Sequence, residues 1–223
     1  DGKTLFHSYK NKQATIPGFL EDYTFVIEGL IALYEVSFDE QWLRQAIALV
    51  NHVIDYFYDE QDGLFFYTSN IGEKLIARKK EIFDNVIPAS NSSLARNLYQ
   101  LGKILDNEDW IEHGRKTASR FKKAFLTDPS YVSNWGCLIT SMMSPTAEIV
   151  ISGKQCKQYR KEIEQHYFPN KIICGSAVES TLPLLKDRNP IDTETNMYLC
   201  YDKTCQLPTT DISQLFEQLN HIR

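Results

Sequence analysis

The 223-residue chain has no run of about 18 apolar residues, which excludes a membrane-spanning helix. No basic stretch leads into an apolar one, so no signal peptide is expected. The first residue is Asp1 rather than Met, as expected of a processed or partial chain. Cysteine is scarce: five residues, an odd number. A disulfide-stapled secreted fold is therefore not expected, and a reducing cytoplasm is. A continuous basic stripe is also missing. Lys and Arg total 24 against 29 Asp and Glu, a net charge of −5. The basic residues cluster only at Arg78-Lys79-Lys80 and between Arg115 and Lys123. Nucleic acid is not an expected partner.

The sequence does contain hydrophobic residues at 43%, enough for one sizeable core, or one core with a small second unit. Residues 18–57 read as two helices. Val26, Ile27, Leu30, Ile31, Leu33 and Tyr34 form an apolar face on the first; Trp42, Leu43, Ala46, Ile47, Leu49, Val50, Val53, Ile54 and Phe57 do so on the second. The short link between them, with Asp39 as helix cap, predicts an antiparallel hairpin.

This pattern recurs. Trp42-Leu43 and Trp110-Ile111 each open a second helix, 68 residues apart. The same offset maps Leu30 onto Leu98, Leu33 onto Leu101, Val36 onto Ile104 and Phe57 onto Phe125. Residues 90–125 therefore read as a second hairpin built like the first. A further helix is expected over 131–143. Between the hairpins, residues 64–68 and 73–80 read as a short β-hairpin. Asp59, Asp62 and Gly63 lack calcium-loop spacing and read as a plain turn.

After Pro145 the texture changes. Residues 147–152, 171–174 and 197–201 read as strands, and 157–167 and 212–219 as helices. The expected architecture is mainly α: helical hairpins over 1–145, with a small α/β unit over 146–223.

Several of these segments resemble a known family. Gly18-Phe19-Leu20-Glu21-Asp22-Tyr23, then Tyr34-Glu35 and Trp42-Leu43, is similar to a hallmark of thioredoxin-domain proteins that carry an α/α-toroid. The spermatogenesis-associated animal members and uncharacterised bacterial homologues belong to that family. Asp84, Pro88 and Ser90-Asn91-Ser92 resemble its Asp-x-x-x-Pro-Ser-Gly-Asn-Ser segment, with Ala89-Ser90 in place of Ser-Gly. Residues 147–153 resemble its strand ending in glycine, and Cys200, Cys205 and Pro208 its closing motif.

The resemblance implies a six-hairpin glycosidase-like toroid, similar to that of N-acylglucosamine 2-epimerases, preceded by a thioredoxin-like domain. This chain has no Cys-x-x-Cys and only two complete hairpins. The thioredoxin-like domain and the early toroid hairpins are therefore implied as missing partners. A partial ring leaves apolar flanks, which predicts self-association or a companion chain.

The 68-residue offset places Asp22 on Ser90 and Tyr23 on Asn91, at the start of each inner helix. Glu21, Asp22, Tyr23, Asp84, Ser90 and Asn91 are expected to converge in one mouth, joined by Arg78 and Lys80. Paired carboxylates with hydroxyl and amide donors suit a carbohydrate or other small polar ligand. The alternative is that Asp22, Ser90 and Asn91 only cap helices, making a scaffold for redox or protein-quality work. No histidine takes a motif position, so epimerase chemistry finds no base. Cys200 and Cys205 could form a redox pair or half a zinc site, but zinc lacks two further ligands; structural cysteines in a strand and the following turn are the commoner outcome, with a disulfide in an oxidised sample. No metal and no cofactor is implied.

Overall fold

The computed structural model describes residues 4–71, 76–188, 190 and 194–220. It is mainly helical, with eight α-helices and small sheets among those residues. No helix there is long and apolar enough to cross a membrane.

Helices α1 (Leu20–Ser37) and α2 (Gln41–Phe57) form the first hairpin. Helices α3 (Ser90–Leu105) and α4 (Glu108–Arg120) form the second, which continues into α5 (Lys122–Thr127). The 68-residue offset extends to the helix ends. Inner helices α1 and α3 both end on a left-handed residue, Phe38 at φ 56° and Asp106 at φ 55°. The amide of Phe38 returns to the Tyr34 carbonyl, and that of Asp106 to the Gly102 carbonyl. One residue later, Asp39 accepts from the Gln41 amide and Asn107 from the Trp110 amide. Each carboxylate or amide oxygen thus satisfies a donor left open at a helix start.

The two inner helices differ in what covers them. Val26, Leu33 and Val36 on α1 are 41%, 46% and 57% exposed. Their offset partners Leu94, Leu101 and Ile104 on α3 are at most 1% exposed. Helix α3 lies beside α1, and Asn97 Nδ2 donates to the Thr24 carbonyl at 2.8 Å.

Helix α6 (Ser133–Ser141) follows a 3-10 turn, Pro129–Tyr131. Its Trp135 is fully buried and stacks on Phe121, with ring centroids 4.3 Å apart. The indole N–H of Trp135 donates to the Ile82 carbonyl, so the burial leaves no orphan donor.

Strands pair among themselves after residue 146. They are β5 (Ala147–Ser152), β6 (Lys171–Ser176), β7 (Asn196–Tyr201) and β8 (Thr204–Cys205), in the order β6-β5-β7-β8. Strand β5 pairs parallel with β6 and antiparallel with β7, and all six of its residues are buried. The crossover from β5 to β6 runs through α7 (Cys156–Ile163), and α8 (Ile212–Asn220) closes the described chain. At the end of β5, Gly153 sits at φ 141°, and a Cβ there would lie 2.6 Å from the Thr195 backbone. Only glycine suits that position. One hydrophobic cluster runs from Tyr34 and Leu101 into Ile149 and Leu199. The sheet also docks through Lys103 of α3, 3.5 Å from buried Glu148 and 2.6 Å from Asp202.

Two features differ from expectation. Nothing in the sequence pattern pointed to the hairpin formed by β1 (Phe6–Lys10) and β2 (Gln13–Pro17), which precedes α1. The aromatic segment pairs backwards rather than forwards: β4 (Leu64–Phe65) is antiparallel to β3 (Tyr58–Asp59). Residues 73–75 of the expected partner strand lie outside the described residues, and 76–80 are not a strand. Side chains hold that stretch instead. Lys80 bridges Asp59 at 2.6 Å and Asp62 at 2.7 Å, and Arg78 lies over the Phe66 ring at 4.0 Å.

Candidate functional site

Helix α1 starts after Phe19, whose extended backbone leaves its amide unpaired by the helix. Asp22, three residues on, turns back and accepts that N–H at 2.8 Å. The same carboxylate lies 3.0 Å from His7 Nδ1, tying the preceding hairpin to the helix start. Tyr23 is buried with its ring stacked on His52. Its hydroxyl accepts from the Leu5 amide at 3.1 Å and meets His52 Nε2 at 3.1 Å. Burial pushes the Tyr23 phenol up, so it stays protonated as a hydrogen-bond group.

Helix α3 starts in a comparable way. Asn91 is buried, and its side-chain oxygen accepts from the Phe65 amide at 2.8 Å. Its Nδ2 donates to the carbonyls of Phe65 and Glu81, both at 2.9 Å. Asp84 is 8% exposed. One of its oxygens accepts from the Ala89 amide at 2.9 Å, the other from the Asn134 amide at 2.8 Å and the Ser133 hydroxyl at 3.1 Å. Asp84 therefore joins the starts of α3 and α6. Arg78 donates to the carbonyls of Thr68 and Tyr56. These contacts occupy Asp22, Tyr23, Arg78, Asp84 and Asn91 in holding helix starts and strands together.

Glu21 and Ser90 lie in a different setting. The segment carrying Tyr67 passes between the two inner-helix starts, because the Leu20 amide donates to the Tyr67 carbonyl while Asn91 grips Phe65. Tyr67 consequently donates its hydroxyl to Glu21 at 2.8 Å. Its ring stacks on Phe19 at 4.8 Å, and His7 tilts against the other side of that wall. Burial and the Glu21 carboxylate both push the Tyr67 phenol up. Glu81, absent from the sequence-based candidates, belongs to the same group. Burial raises its carboxyl, Ser90 opposes the rise, and the like charge of Glu21 adds to it. The Ser90 hydroxyl is fully buried and faces the Glu81 carboxyl, whose charged form it favours. The structure thus gathers Glu21, Tyr67, Glu81 and Ser90 into a polar cluster with one aromatic wall. Within it, Glu81 keeps its proton to higher pH than an ordinary carboxylate.

A cleft of about 1100 Å³ lies between α3, α6 and the segment leading into β6. Glu35 lines it beside Gln100, whose amide donates to Glu35 at 3.2 Å. Burial pushes the Glu35 carboxyl up to about 7, against the opposing Ile173 amide, Gln100 and Lys171.

No known family profile matches this chain. It is 28% identical over 214 residues to spermatogenesis-associated protein 20 of Homo sapiens, covering 91% of this chain and 27% of that protein. The Rattus norvegicus protein of the same name is equally similar. An uncharacterized protein of Caenorhabditis elegans is 22% identical over 212 residues, 92% of this chain and 29% of its own. These likenesses support kinship with the spermatogenesis-associated family. The chain spans roughly a quarter of the length of the curated relatives it matches.

Proposed function

We propose that this chain is the C-terminal toroid portion of a longer polypeptide of the spermatogenesis-associated kind, and that it binds carbohydrate at the Glu21–Tyr67–Glu81–Ser90 cluster. The cluster carries this reading because it gathers two carboxyls, a phenol and a hydroxyl beside one aromatic wall. Glu21 and Glu81, the latter raised by burial, lie beside one phenol, and the buried Ser90 hydroxyl faces Glu81. Such a set matches a sugar, whose hydroxyls both donate and accept while its C–H face lies on an aromatic ring. Two neighbouring carboxyls, one of them raised by burial, also suit acid and base steps on a sugar. Carbohydrate modification in the longer protein would draw on that pair.

The toroid part rests on the 68-residue repeat and on the bare stripe of α1. Helix α3 buries the face that α1 leaves exposed at Val26, Leu33 and Val36. A preceding hairpin of the same register would cover α1 as α1 covers α3.

The test is a panel of mono- and oligosaccharides read by thermal shift and titration. A ligand is expected to raise the melting temperature of the wild-type chain. Glu81→Gln and Glu21→Gln are each expected to weaken that ligand about tenfold, with the unliganded melting temperature within about 2 °C of wild type. An undiminished shift in both variants, or no shift with any sugar, would sink the reading.

A second reading has its own support. Asp22, Asp84 and Asn91 are committed to helix starts and strand contacts, as a scaffold requires. In that case the chain positions a thioredoxin-like domain of the longer polypeptide, and the panel stays silent.

A further inference from the structure

Strands β7 and β8 form a tight hairpin whose turn residues, Asp202 and Lys203, both have positive φ. The hairpin pairs Cys200 directly with Cys205, and the two are joined as a disulfide five residues apart in sequence. As a staple this bond adds little. It closes a very short loop whose ends the strand pairing already holds together, and disulfide stabilisation grows with loop length. The surroundings of the two sulfurs suggest a different use. Cys200 is 1% exposed on a core strand, whereas Cys205 is exposed on the edge. Arg188 Nη2 lies 2.9 Å from the Cys205 sulfur and 3.4 Å from that of Cys200. The guanidinium is held there by the Leu184 carbonyl and by the Tyr198 ring, 5.2 Å from its centre.

We propose that Cys200 and Cys205 are a thiol–disulfide exchange site, with Cys205 as the sulfur that meets a dithiol partner and Arg188 as its positioning cation. A thiolate of the partner attacks the exposed Cys205 sulfur. The electron pair of the broken S–S bond passes to Cys200, which leaves as a thiolate and takes up a proton. The partner's second thiol, deprotonated, then attacks the partner sulfur of the mixed disulfide and releases the Cys205 thiolate beside Arg188. Two electrons have moved from the dithiol to the pair, and the partner leaves as a disulfide. The reverse sequence oxidises the pair again. A guanidinium beside the sulfurs favours both thiolates, so it eases reduction and makes Cys205 the better nucleophile in the return step.

The test compares Cys205 with Cys137, the exposed free thiol of the same chain. Equilibration of the folded protein in glutathione buffers, with alkylation and mass spectrometry, is expected to show reversible reduction of the pair with no change in circular dichroism. Arg188→Ala should raise the ratio [GSH]²/[GSSG] needed for half-reduction about tenfold, and Arg188→Lys should restore most of the difference. In Cys200→Ser, Cys205 should form a mixed disulfide with an aromatic disulfide reagent about ten times faster than Cys137. The same rate comparison in reduced wild-type protein covers the case in which that variant does not fold. A pair that reduces only on unfolding would overturn the proposal. So would a Cys205 that reacts no faster than Cys137.

Discussion

Replacing Asp84 with alanine is expected to lower the unfolding free energy by about 4 kcal/mol, among the largest single-site effects in this chain. The size follows from what the carboxylate touches. It accepts the Ala89 amide at the start of α3 and the Asn134 amide at the start of α6. Each such cap is worth about 1 kcal/mol. Ser133 and the two amides would then be left in a site where Asp84 itself is only 8% exposed. Buried donors without a partner cost about 1–3 kcal/mol more. Urea unfolding at neutral pH measures the loss as a lower midpoint with an unchanged slope. Asp84→Asn keeps one acceptor oxygen and should lose about half as much. A loss below about 1 kcal/mol in the alanine variant would mean that the helix starts are held by something else.

The same residue shows where the sequence could be read and where it could not. The 68-residue repeat was legible because it rests on local chemistry. Trp42 and Trp110 mark equivalent positions, and a capping oxygen at Asp39 and Asn107 follows a left-handed residue in both hairpins. The strands after residue 146 were legible from β-branched runs such as Ile149-Val150-Ile151. The polar residues at the inner-helix starts were harder to interpret. Asp, Asn and Ser are the residues of helix caps and also of ligand sites, so type and spacing place them without assigning their use. Asp84 and Asn91 turn out to be occupied by backbone groups more than 20 residues away, Asn134 and Phe65, which no local pattern specifies.

The misses have the same origin. The hairpin of Phe6–Lys10 and Gln13–Pro17 is exposed along nearly all its length, so it carries no alternating apolar signal. Its turn uses Asn11 and Lys12 at φ 53° and 63°, and only the asparagine hints at it. Residues 73–80 read as a strand on a loose alternation, although their apolar residues, Leu75-Ile76-Ala77, are consecutive. In the described part, Lys80 is drawn to Asp59 and Asp62, and Arg78 to two carbonyls. Glu81 was overlooked because its significance depends on Glu21 and Ser90, which reach it only through the fold.

Glu35→Gln is expected to make the protein more stable at pH 8 by on the order of 2–3 kcal/mol, while leaving stability near pH 4.5 almost unchanged. Glu35 sits near the end of α1 against the edge of β6, with the Ile173 amide, Gln100 and Lys171 around it and Glu164 nearby. Burial outweighs these partners and lifts its carboxyl from an ordinary 4.5 to about 7. The folded protein therefore holds this proton more tightly than the unfolded chain does. The resulting stabilisation is fully present below about 4.5, and it is lost as the pH rises through about 7. Glutamine cannot ionise, yet it keeps an oxygen to accept from Gln100 and from the Ile173 amide. Urea midpoints at pH 4.5, 6, 7 and 8 test this through the difference between variant and wild type. Taking that difference removes the contributions of Glu81 and Glu148, whose carboxyls are also raised and whose stability effects have the same sign. A difference that grows between pH 4.5 and 7 and levels off above it identifies Glu35 as the titrating group. Parallel curves would place its pKa in the ordinary carboxylate range, and the α1–β6 contact would then be wet rather than closed.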